Sequence, residues 1–473
     1  MTSPQLDPGS FRDREGRVFT LEDRVLRALS PRAFAAWETL AATRFFHRLT
    51  EEGKVVATRQ VDFPEAELRA LSPHWVAVLE HEPIPFVSYP YEWSFSMLRD
   101  AAELQLELLL EALEEGLILK DSSAYNVQWQ GARPVFIDVA SFEKWVEGDP
   151  WVGYLQFCQL FLYPLVLTAY RDVSFQPWLR GAIDGISPEE CNRLLRLRDR
   201  FRPGVFADVY LQAKLQARSA RESAASAERS VRAELRQAGF RKEMIAHNVR
   251  RLRKIVGKLA WRRSRSEWAE YAEENSYDRE NREIKERFVR EVAATRHWRL
   301  VWDLGSNTGV FSRIAAEHAD YVVALDADHL AVDRLYRRLA AEGPGNILPL
   351  VGNLADASPA LGWRHRERKA LSERPRPELT LCLALIHHMV ITANIPLPEF
   401  VDWLASLGSH LVIEFVTKDD PMVRKLLRNK EDIYHDYEIP VFEACLGEHF
   451  EILRQEHLQA GNRKLYFARP LSQ

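Results

Sequence analysis

The stretch Asp303-Leu304-Gly305-Ser306-Asn307-Thr308-Gly309, DLGSNTG in one-letter code, follows an apolar run and places two glycines in a short turn. A turn of this kind between a strand and a helix is a common way to hold a nucleotide-like ligand. From residue 299 onward, short apolar β-rich runs alternate with longer helical ones. The alternation predicts a parallel sheet that is covered by helices on both faces.

The end of the chain has a different pattern. The runs FEILRQEHLQ and RKLYFARP are separated by the turn residues Ala460, Gly461 and Asn462. This pattern predicts a hairpin whose last strand runs antiparallel to the others. The predicted fold class of residues 293–473 is therefore α/β, with a Rossmann-like sheet.

Length and composition limit the number of domains and the kinds of partner that we expect. A chain of 473 residues is too long for one ordinary core, so we expect two domains and a helical connector. The formal charge of −4 gives no general attraction to nucleic acid, so on charge grounds we do not expect a nucleic-acid partner. The longest apolar run, residues 155–170, is shorter than the roughly 20 residues of a membrane span and predicts a buried helix.

The cysteines and the N-terminus predict where the protein resides. Four cysteines are scattered without CxxC spacing, which indicates reduced core residues rather than disulfides or zinc ligands. The first residues lack the basic start and apolar core of a signal peptide. We therefore expect a cytoplasmic protein.

Three segments have distinct compositions. Residues 1–206 mix hairpin-like pieces with helices, which predicts an α+β domain. Residues 207–292 are rich in Ala, Arg, Glu and Lys and form the predicted helical connector. Its basic stretch, residues 241–265 with a core at 251–265, fits a solvated helix face, and a contact with an anionic substrate or RNA is the alternative.

The neighbours of the glycine turn narrow the choice of ligand. Asp326 ends the second predicted strand, where an acid can accept hydrogen bonds from ribose hydroxyls, so a dinucleotide and S-adenosylmethionine both fit. Ser306-Asn307-Thr308 lacks the second glycine that lets a backbone approach a pyrophosphate. Asp303 suits a cationic ligand. Together these features favour S-adenosylmethionine.

The motif and the terminal hairpin resemble the class I S-adenosylmethionine-dependent methyltransferases, whose first motif is DxGxxxG. The resemblance covers residues 299–470 and implies a seven-stranded sheet with a reversed last strand. It further implies which residues hold the cofactor. The methionine part is held by the turn that Gly309 closes, through Asp303, Gly305, Ser306 and Asn307. The ribose is held by Asp326, and the adenine is held by Asn353 and Leu354. Asn307 and Asn353 stand where many members have glycine and aspartate, and both keep hydrogen-bonding capacity.

Candidate catalytic residues follow the fourth and fifth predicted strands. His387 and His388 end the fourth strand, and either is a candidate general base; alternatively, one caps a helix or packs under the site. Glu414 ends the fifth strand and either orients a substrate or forms a structural ion pair. Adjacent side chains at a strand end point to opposite sides, so no metal site is predicted. In the preceding helix, Tyr277 and Lys285 are expected to close over the cofactor.

A second motif lies in the N-terminal domain. Asp121 and Asn126 have the DxxxxN spacing of a kinase catalytic loop, and Asp138 follows as a second metal-binding acid would. Residues 89–142 resemble the catalytic segment of kinase-like and aminoglycoside-phosphotransferase-like folds. Leu119-Lys120 replaces the usual His-Arg, and no glycine-rich phosphate loop precedes the segment. A vestigial kinase-like site used for binding is expected, with an active phosphotransferase or coincidence as alternatives.

The whole arrangement resembles a bacterial group of large methyltransferases, some described as nodulation-protein-like. The resemblance implies methyl transfer to a hydroxyl or amine of a small-molecule or glycan-type acceptor. The alternatives are a bifunctional kinase and methyltransferase, a non-catalytic binding or regulatory protein with relic sites, and an RNA methyltransferase. The sequence gives no indication of the oligomeric state.

Overall fold

A computed structural model describes residues 4–219, 239–263, 279–428, 430–458 and 461–471. The chain divides into two units. The first comprises Met1–Trp129, Arg133–Arg263 and Gly362–Glu367, and the second comprises Gln130–Ala132, Ser264–Leu361 and Arg368–Gln473. The main boundary falls inside the segment that the composition marks as a connector.

The N-terminal unit begins with an antiparallel sheet in the order β1-β2-β3-β5-β4. Its strands are β1 (Gln5–Leu6), β2 (Gly16–Leu21), β3 (Arg24–Leu29), β4 (Thr58–Val61) and β5 (Ala77–His81). Helices α1 (Pro31–Ala41) and α2 (Arg44–Glu51) follow β3, and α3 (Glu65–Leu71) follows β4. Ser30 caps α1 by accepting the Ala33 N–H, and Pro31 occupies the first helical position, where its missing N–H costs nothing.

The rest of this unit is mainly helical. The long helix α4 (Phe95–Glu114) is followed by the short strands β6 (Leu117–Leu119), β7 (Val127–Gln130), β8 (Arg133–Phe136) and β9 (Phe142–Lys144), which pair as β6-β9 and β7-β8. The remaining helices are α5 (Tyr154–Phe157), α6 (Tyr163–Arg171), α7 (Gln176–Gly181), α8 (Pro188–Leu194), α9 (Gln212–Ser219) and α10 (Lys242–Val256). Helices α5 and α6 are joined by a buried helical turn, Cys158–Leu162, which confirms the predicted buried helix.

The C-terminal unit contains a large mixed sheet in the order β12-β11-β10-β13-β14-β16-β15. Its strands are β10 (Trp298–Leu304), β11 (Ala319–Asp326), β12 (Ile347–Val351), β13 (Leu379–Cys382), β14 (His410–Val416), β15 (Phe450–His457) and β16 (Arg463–Pro470). Strands β10 to β14 run parallel, and β16 runs antiparallel to β14. The predicted α/β class of this unit is confirmed.

Helices flank the sheet as the alternating pattern predicts. They are α11 (Arg279–Ala293), α12 (Val310–Ala316), α13 (His329–Glu342), α14 (Leu397–Ser406), α15 (Pro421–Leu427) and α16 (Ile439–His449). Most side chains of β10 to β14 are buried on both faces of the sheet. Burial on both faces explains why these strands read as continuous apolar runs instead of alternating ones.

The strand order determines where a ligand can bind. From β10 the chain proceeds to β11 and β12 on one side, and then crosses to β13 and β14 on the other. Helices therefore leave β10 and β13 in opposite directions, and a crevice opens at the carboxyl ends of these two strands. The DLGSNTG turn follows β10 at this switch point.

Two further expectations concern the cysteines and membrane-spanning helices. The four cysteines are all free, with Cys158, Cys191 and Cys382 buried and Cys445 half-buried. Across the described part of the chain, no helix combines the length and the apolar character needed to cross a membrane.

Candidate functional site

The glycine turn is held tightly against the neighbouring strand. The Gly305 and Ser306 N–H groups both donate to the Leu325 carbonyl of β11, at 2.8 and 3.0 Å. Gly305, Asn307 and Gly309 all have positive φ, which glycine adopts without strain and asparagine tolerates. A Cβ atom at Gly309 would lie 2.5 Å from a Leu335 methyl carbon, so only glycine fits there without displacement.

Asp303, the first residue of the motif, is buried at the end of β10. Only 2% of its surface is exposed, and one carboxylate oxygen accepts the Ser312 hydroxyl at 2.5 Å. Burial raises the pKa of Asp303 from its usual 3.8 to about 7, the Ser312 hydrogen bonds oppose the rise, and the nearby charge of Asp326 adds to it. The pKa of this carboxyl group therefore lies near neutral pH, and a cation beside it would favour the ionised form.

Asp326, at the end of β11, is oriented by backbone donors. Its Oδ2 accepts the Asn307 N–H at 2.7 Å, and its Oδ1 accepts the Asp328 N–H at 2.8 Å. Burial raises the pKa of Asp326, and these two backbone hydrogen bonds counteract the shift. Each oxygen of a carboxylate has a second lone pair, so both oxygens can still accept a hydroxyl. The strand-end acid is thus joined directly to the glycine turn.

The other predicted cofactor residues lie along the same edge. Ser306 is 5% exposed, and its hydroxyl has no hydrogen-bond partner among the described residues. Asn353 follows β12, is exposed, and its side-chain oxygen accepts the Ala355 N–H at 3.1 Å. Leu354 is half-buried. The unsatisfied Ser306 hydroxyl is a position where a polar ligand would be expected.

The predicted placement of the histidines is wrong. Strand β13 ends at Cys382, and His387 and His388 lie instead in a helical turn that continues to Thr392. Successive side chains are about 100° apart in a helix, so the two rings are not forced to opposite sides. Their centroids are 4.1 Å apart. In the portion of the chain that is described, no cluster of three His, Cys, Asp or Glu side chains could hold a metal ion.

The two histidines differ in burial. His387 is 2% exposed, and no described residue bonds to its Nδ1 atom, whereas His388 is half-buried. Burial lowers the pKa of His387 well below its usual value, and His388, Arg463 and Lys285 lower it further. His387 is therefore uncharged at neutral pH.

Glu414 lies in a buried network of charges. It is fully buried on β14, and its Oε1 is 2.7 Å from Lys285 Nζ and 3.3 Å from Arg463 Nη1. Arg463 also pairs with Asp420 at 2.7 Å. Although burial raises the pKa of Glu414, Lys285 and Arg463 lower it more, so the carboxylate is ionised. The sequence predicts that Glu414 either orients a substrate or forms a structural ion pair, and the structure shows the ion pair.

Several residues of this site carry no signal in the sequence pattern. Ser312, Arg463 and Asp420 were not predicted, although the hairpin pattern places Arg463 at the start of the strand that pairs with β14. Lys285 reaches the site from α11, where it contacts Glu414. Tyr277 lies outside the described residues.

The kinase-like residues of the N-terminal unit come together. The Asp121 carboxylate accepts the Ser123 N–H at 2.9 Å, and burial and the charge of Asp138 raise its pKa. Asp138 pairs with Arg27 of β3 at 2.7 Å and accepts the Ser141 hydroxyl at 2.5 Å. Burial raises the pKa of Asp138, but Arg27, Ser141 and Lys120 more than offset it and lower the pKa. Arg27, a residue that the sequence pattern does not mark, thus places a positive charge beside Asp138.

No protein-family model matches the chain. The chain is 36% identical over 465 residues to nodulation protein NoeA of Rhizobium meliloti (strain 1021), covering 97% of this chain and 94% of that protein. Among solved structures, the N-methyltransferase NodS from Bradyrhizobium japonicum WM9 matches 41% of this chain and 99% of its own, at 15% identity and a TM-score of 0.30. The magnesium protoporphyrin IX methyltransferase from Synechocystis PCC 6803 with bound SAH matches 42% and 88%, at 18% identity and a TM-score of 0.29.

Proposed function

The chain belongs to the family of the nodulation protein NoeA, and from the geometry of its site we propose that it is an S-adenosylmethionine-dependent methyltransferase. The observation that carries the proposal is the hydrogen bond between Asp326 and the glycine turn, beside the buried Asp303. Two strand-end carboxylates and a turn with positive φ values therefore meet at the switch point of the sheet. This arrangement suits a ligand with a ribose at one end and a positive charge at the other.

The same turn is poorly suited to a dinucleotide. Asn307 places a side chain where a dinucleotide site needs a second glycine for close approach of the pyrophosphate. In its ionised form Asp303 adds negative charge, which would repel a pyrophosphate and attract a sulfonium and an amine. The unsatisfied Ser306 hydroxyl offers a further polar contact. These features support S-adenosylmethionine over a nicotinamide or flavin dinucleotide.

We assign the cofactor-binding residues as the motif implies. The turn residues Asp303, Gly305, Ser306, Asn307 and Gly309 face the methionine part. Asp326 accepts hydrogen bonds from the ribose hydroxyls, and Asn353 and Leu354 contact the adenine edge and face. The cofactor supplies an activated methyl group, whose transfer needs alignment more than it needs a protein nucleophile.

On the acceptor side, the chain provides an imidazole. An acceptor oxygen or nitrogen forms a bond to the methyl carbon while the carbon–sulfur bond breaks and its electron pair stays on sulfur. The acceptor's proton then passes to an imidazole, for which the half-buried His388 is better placed than the buried His387. The acceptor class we favour is a hydroxyl or amine of a small-molecule or glycan-type compound.

The proposal is tested by transfer of a labelled methyl group. Purified full-length protein and methyl-labelled S-adenosylmethionine are incubated with fractionated cell extract, which requires no assumption about the acceptor. We expect label in at least one fraction, and loss of that label with Asp303→Ala. The matched control is Glu317→Gln, which removes only an exposed ion pair with Arg290. Labelling that persists at the wild-type level in Asp303→Ala would refute the assigned site.

The second candidate function is ligand binding by the N-terminal unit. Asp121, Asn126 and Asp138 lie close together, since Asp121 senses the charge of Asp138 and bonds to Asn126. The ion pair between Arg27 and Asp138 favours a binding role over phosphoryl transfer, because the carboxylate already has a cationic partner. The bifunctional alternative requires magnesium-dependent ATP turnover that is lost in Asp138→Asn.

A further inference from the structure

An exposed surface of the N-terminal unit combines large apolar side chains with arginines. We call it the basic apolar surface, and it spans residues 193–206, RLLRLRDRFRPGVF in one-letter code. Three of its apolar side chains face solvent: Leu197 is 71% exposed, Phe201 93% and Phe206 53%. Single exposed apolar residues are normal on a protein surface, but three so close together in the chain form a patch that needs an explanation.

A short helical turn, Leu197–Phe201, holds two of these side chains outward. The Asp199 carboxylate at its centre is 1% exposed, accepts the Arg196 N–H at 2.9 Å and lies 3.2 Å from Arg202 Nε. The Asp199 N–H in turn donates to the Arg196 carbonyl at 2.9 Å. The buried acid therefore fixes the turn from the inside, and the apolar residues at both ends of the turn face solvent.

The exposed charges of this surface have one sign. From residue 191 to residue 207, Asp199 is the only acid in the sequence, and it is buried. The same stretch contains five arginines: Arg193, Arg196, Arg198, Arg200 and Arg202. Arg196 and Arg198 are exposed and form no ion pair with any residue that the structure describes. The surface thus carries positive charge that is not neutralised within the described part of the chain.

The end of α10 adjoins this surface. A Cβ atom at Gly204 would lie 3.0 Å from Ile255 Cγ2, so the segment packs against the C-terminal turn of α10. Lys254 and Lys258 flank Ile255 in the chain, and both are exposed. Residues three apart are neighbours on a helical surface, so Lys258 lies at the edge of the same contact. These lysines extend the positive charge beyond the arginines.

We propose that the basic apolar surface docks the protein on an anionic lipid membrane. The arginines attract negatively charged headgroups, while Leu197 and Phe201 enter the boundary between headgroups and acyl chains and leave water. Arginine suits this position because its apolar stem can lie in the boundary while its charge stays among the headgroups. The inference goes beyond the proposed function and does not depend on methyl transfer.

The apolar side chains favour lipid over nucleic acid as the partner. Single-stranded RNA binds to cationic grooves and stacks its bases on aromatic rings, so it could use the arginines and Phe201. Leu197 is aliphatic and offers no stacking face, yet it is among the most exposed apolar side chains of the described chain. A bilayer accommodates both residue types together with the surrounding positive charge.

The test is co-sedimentation of the full-length protein with lipid vesicles. Vesicles of pure phosphatidylcholine are compared with vesicles in which a quarter of the lipid is phosphatidylglycerol. We expect the wild type to sediment with the anionic vesicles and to stay in solution with the neutral ones. Added salt should weaken the sedimentation, because it screens the attraction between arginines and headgroups.

Matched variants separate the apolar contribution from the charge. Phe201→Ser should weaken vesicle binding about tenfold, because a large apolar side chain no longer leaves water. Arg196→Gln and Arg198→Gln should each weaken it about fivefold. The controls are Ile433→Ser, which removes a side chain that is 57% exposed elsewhere, and Arg32→Gln, which removes an exposed charge on α1. Neither control should change vesicle binding.

Every other outcome overturns the inference. Phe201→Ser should unfold at the wild-type temperature, and a fall of several degrees would show that another part of the chain covers Phe201. Lipid docking is refuted if the wild type does not sediment with anionic vesicles, or if Phe201→Ser sediments as well as the wild type. It is also refuted if the protein leaves the vesicles in solution but binds RNA, or forms dimers that Phe201→Ser dissociates. Because no step uses S-adenosylmethionine, the result is independent of the proposed function.

Discussion

Asp303 illustrates how one buried side chain couples ligand binding to stability. Its carboxylate is shielded from water and accepts a hydrogen bond from a hydroxyl group, not from a cation. Burial therefore raises its pKa to about 7. A group with a raised pKa in the folded state stabilises the fold below its unfolded pKa, and this contribution is lost as the pH rises through the folded pKa.

We accordingly predict a pH-dependent effect of Asp303→Asn. Between pH 4 and pH 8, the free energy of unfolding of the wild type should fall by about 4 kcal/mol relative to that of the variant, from a pKa shift of about 3. Asparagine keeps an oxygen for the Ser312 hydroxyl, so the local packing is preserved. Urea denaturation at several pH values measures the difference. A wild type and variant that differ by the same amount at every pH would contradict the assigned pKa.

The residues of this site were predictable to different degrees. Asp303 and Asp326 could be found because each ends an apolar strand, and strand ends are visible in sequence. His387 and His388 were misplaced because the run LTLCLALI before them has no period that separates a strand from a helix. Arg463 and Lys285 could not be connected to Glu414 from sequence, since they lie on separate elements and meet only through tertiary packing.

At the scale of elements, the glycine turn determines how β10 joins α12. Gly309 has a positive φ and packs against Leu335 of α13, which is 1% exposed and has little room to move. The alternation of strands and helices predicted the elements on both sides, because buried parallel strands give continuous apolar runs. The closeness of Gly309 to Leu335 was not predictable, since it depends on how α13 packs.

We predict that Gly309→Ala is more harmful than the same change at Gly408. Gly408 also has a positive φ, but the described structure has nothing within 4 Å of an added Cβ there, so backbone strain of about 1 kcal/mol is expected. Gly309→Ala adds overpacking against Leu335 and should lose about 2 kcal/mol more. Thermal unfolding compares the two. Equal losses of stability in the two variants would show that the contact with Leu335 adds nothing to the cost of Gly309→Ala.

At the scale of the whole molecule, the similarity to NoeA extends through both units of the chain. The similarity to this relative therefore includes the N-terminal unit as well as the α/β sheet of the C-terminal unit. The spacing in the sequence indicated a cluster in the N-terminal unit, formed by Asp121, Asn126 and Asp138. The ion pair between Arg27 and Asp138 could not be predicted, because Arg27 lies on a strand that is distant in sequence. The kinase-like resemblance of this unit remains a prediction.

The central claim is that the crevice beyond β10 binds S-adenosylmethionine. The most direct measurement is isothermal titration calorimetry of the full-length protein with S-adenosylmethionine, with NAD as the competing ligand class. We predict saturable binding of one S-adenosylmethionine per chain, no binding of NAD, and loss of the heat signal in Asp303→Ala but not in Glu317→Gln. Absence of heat with S-adenosylmethionine, or saturable binding of NAD in its place, would contradict the account.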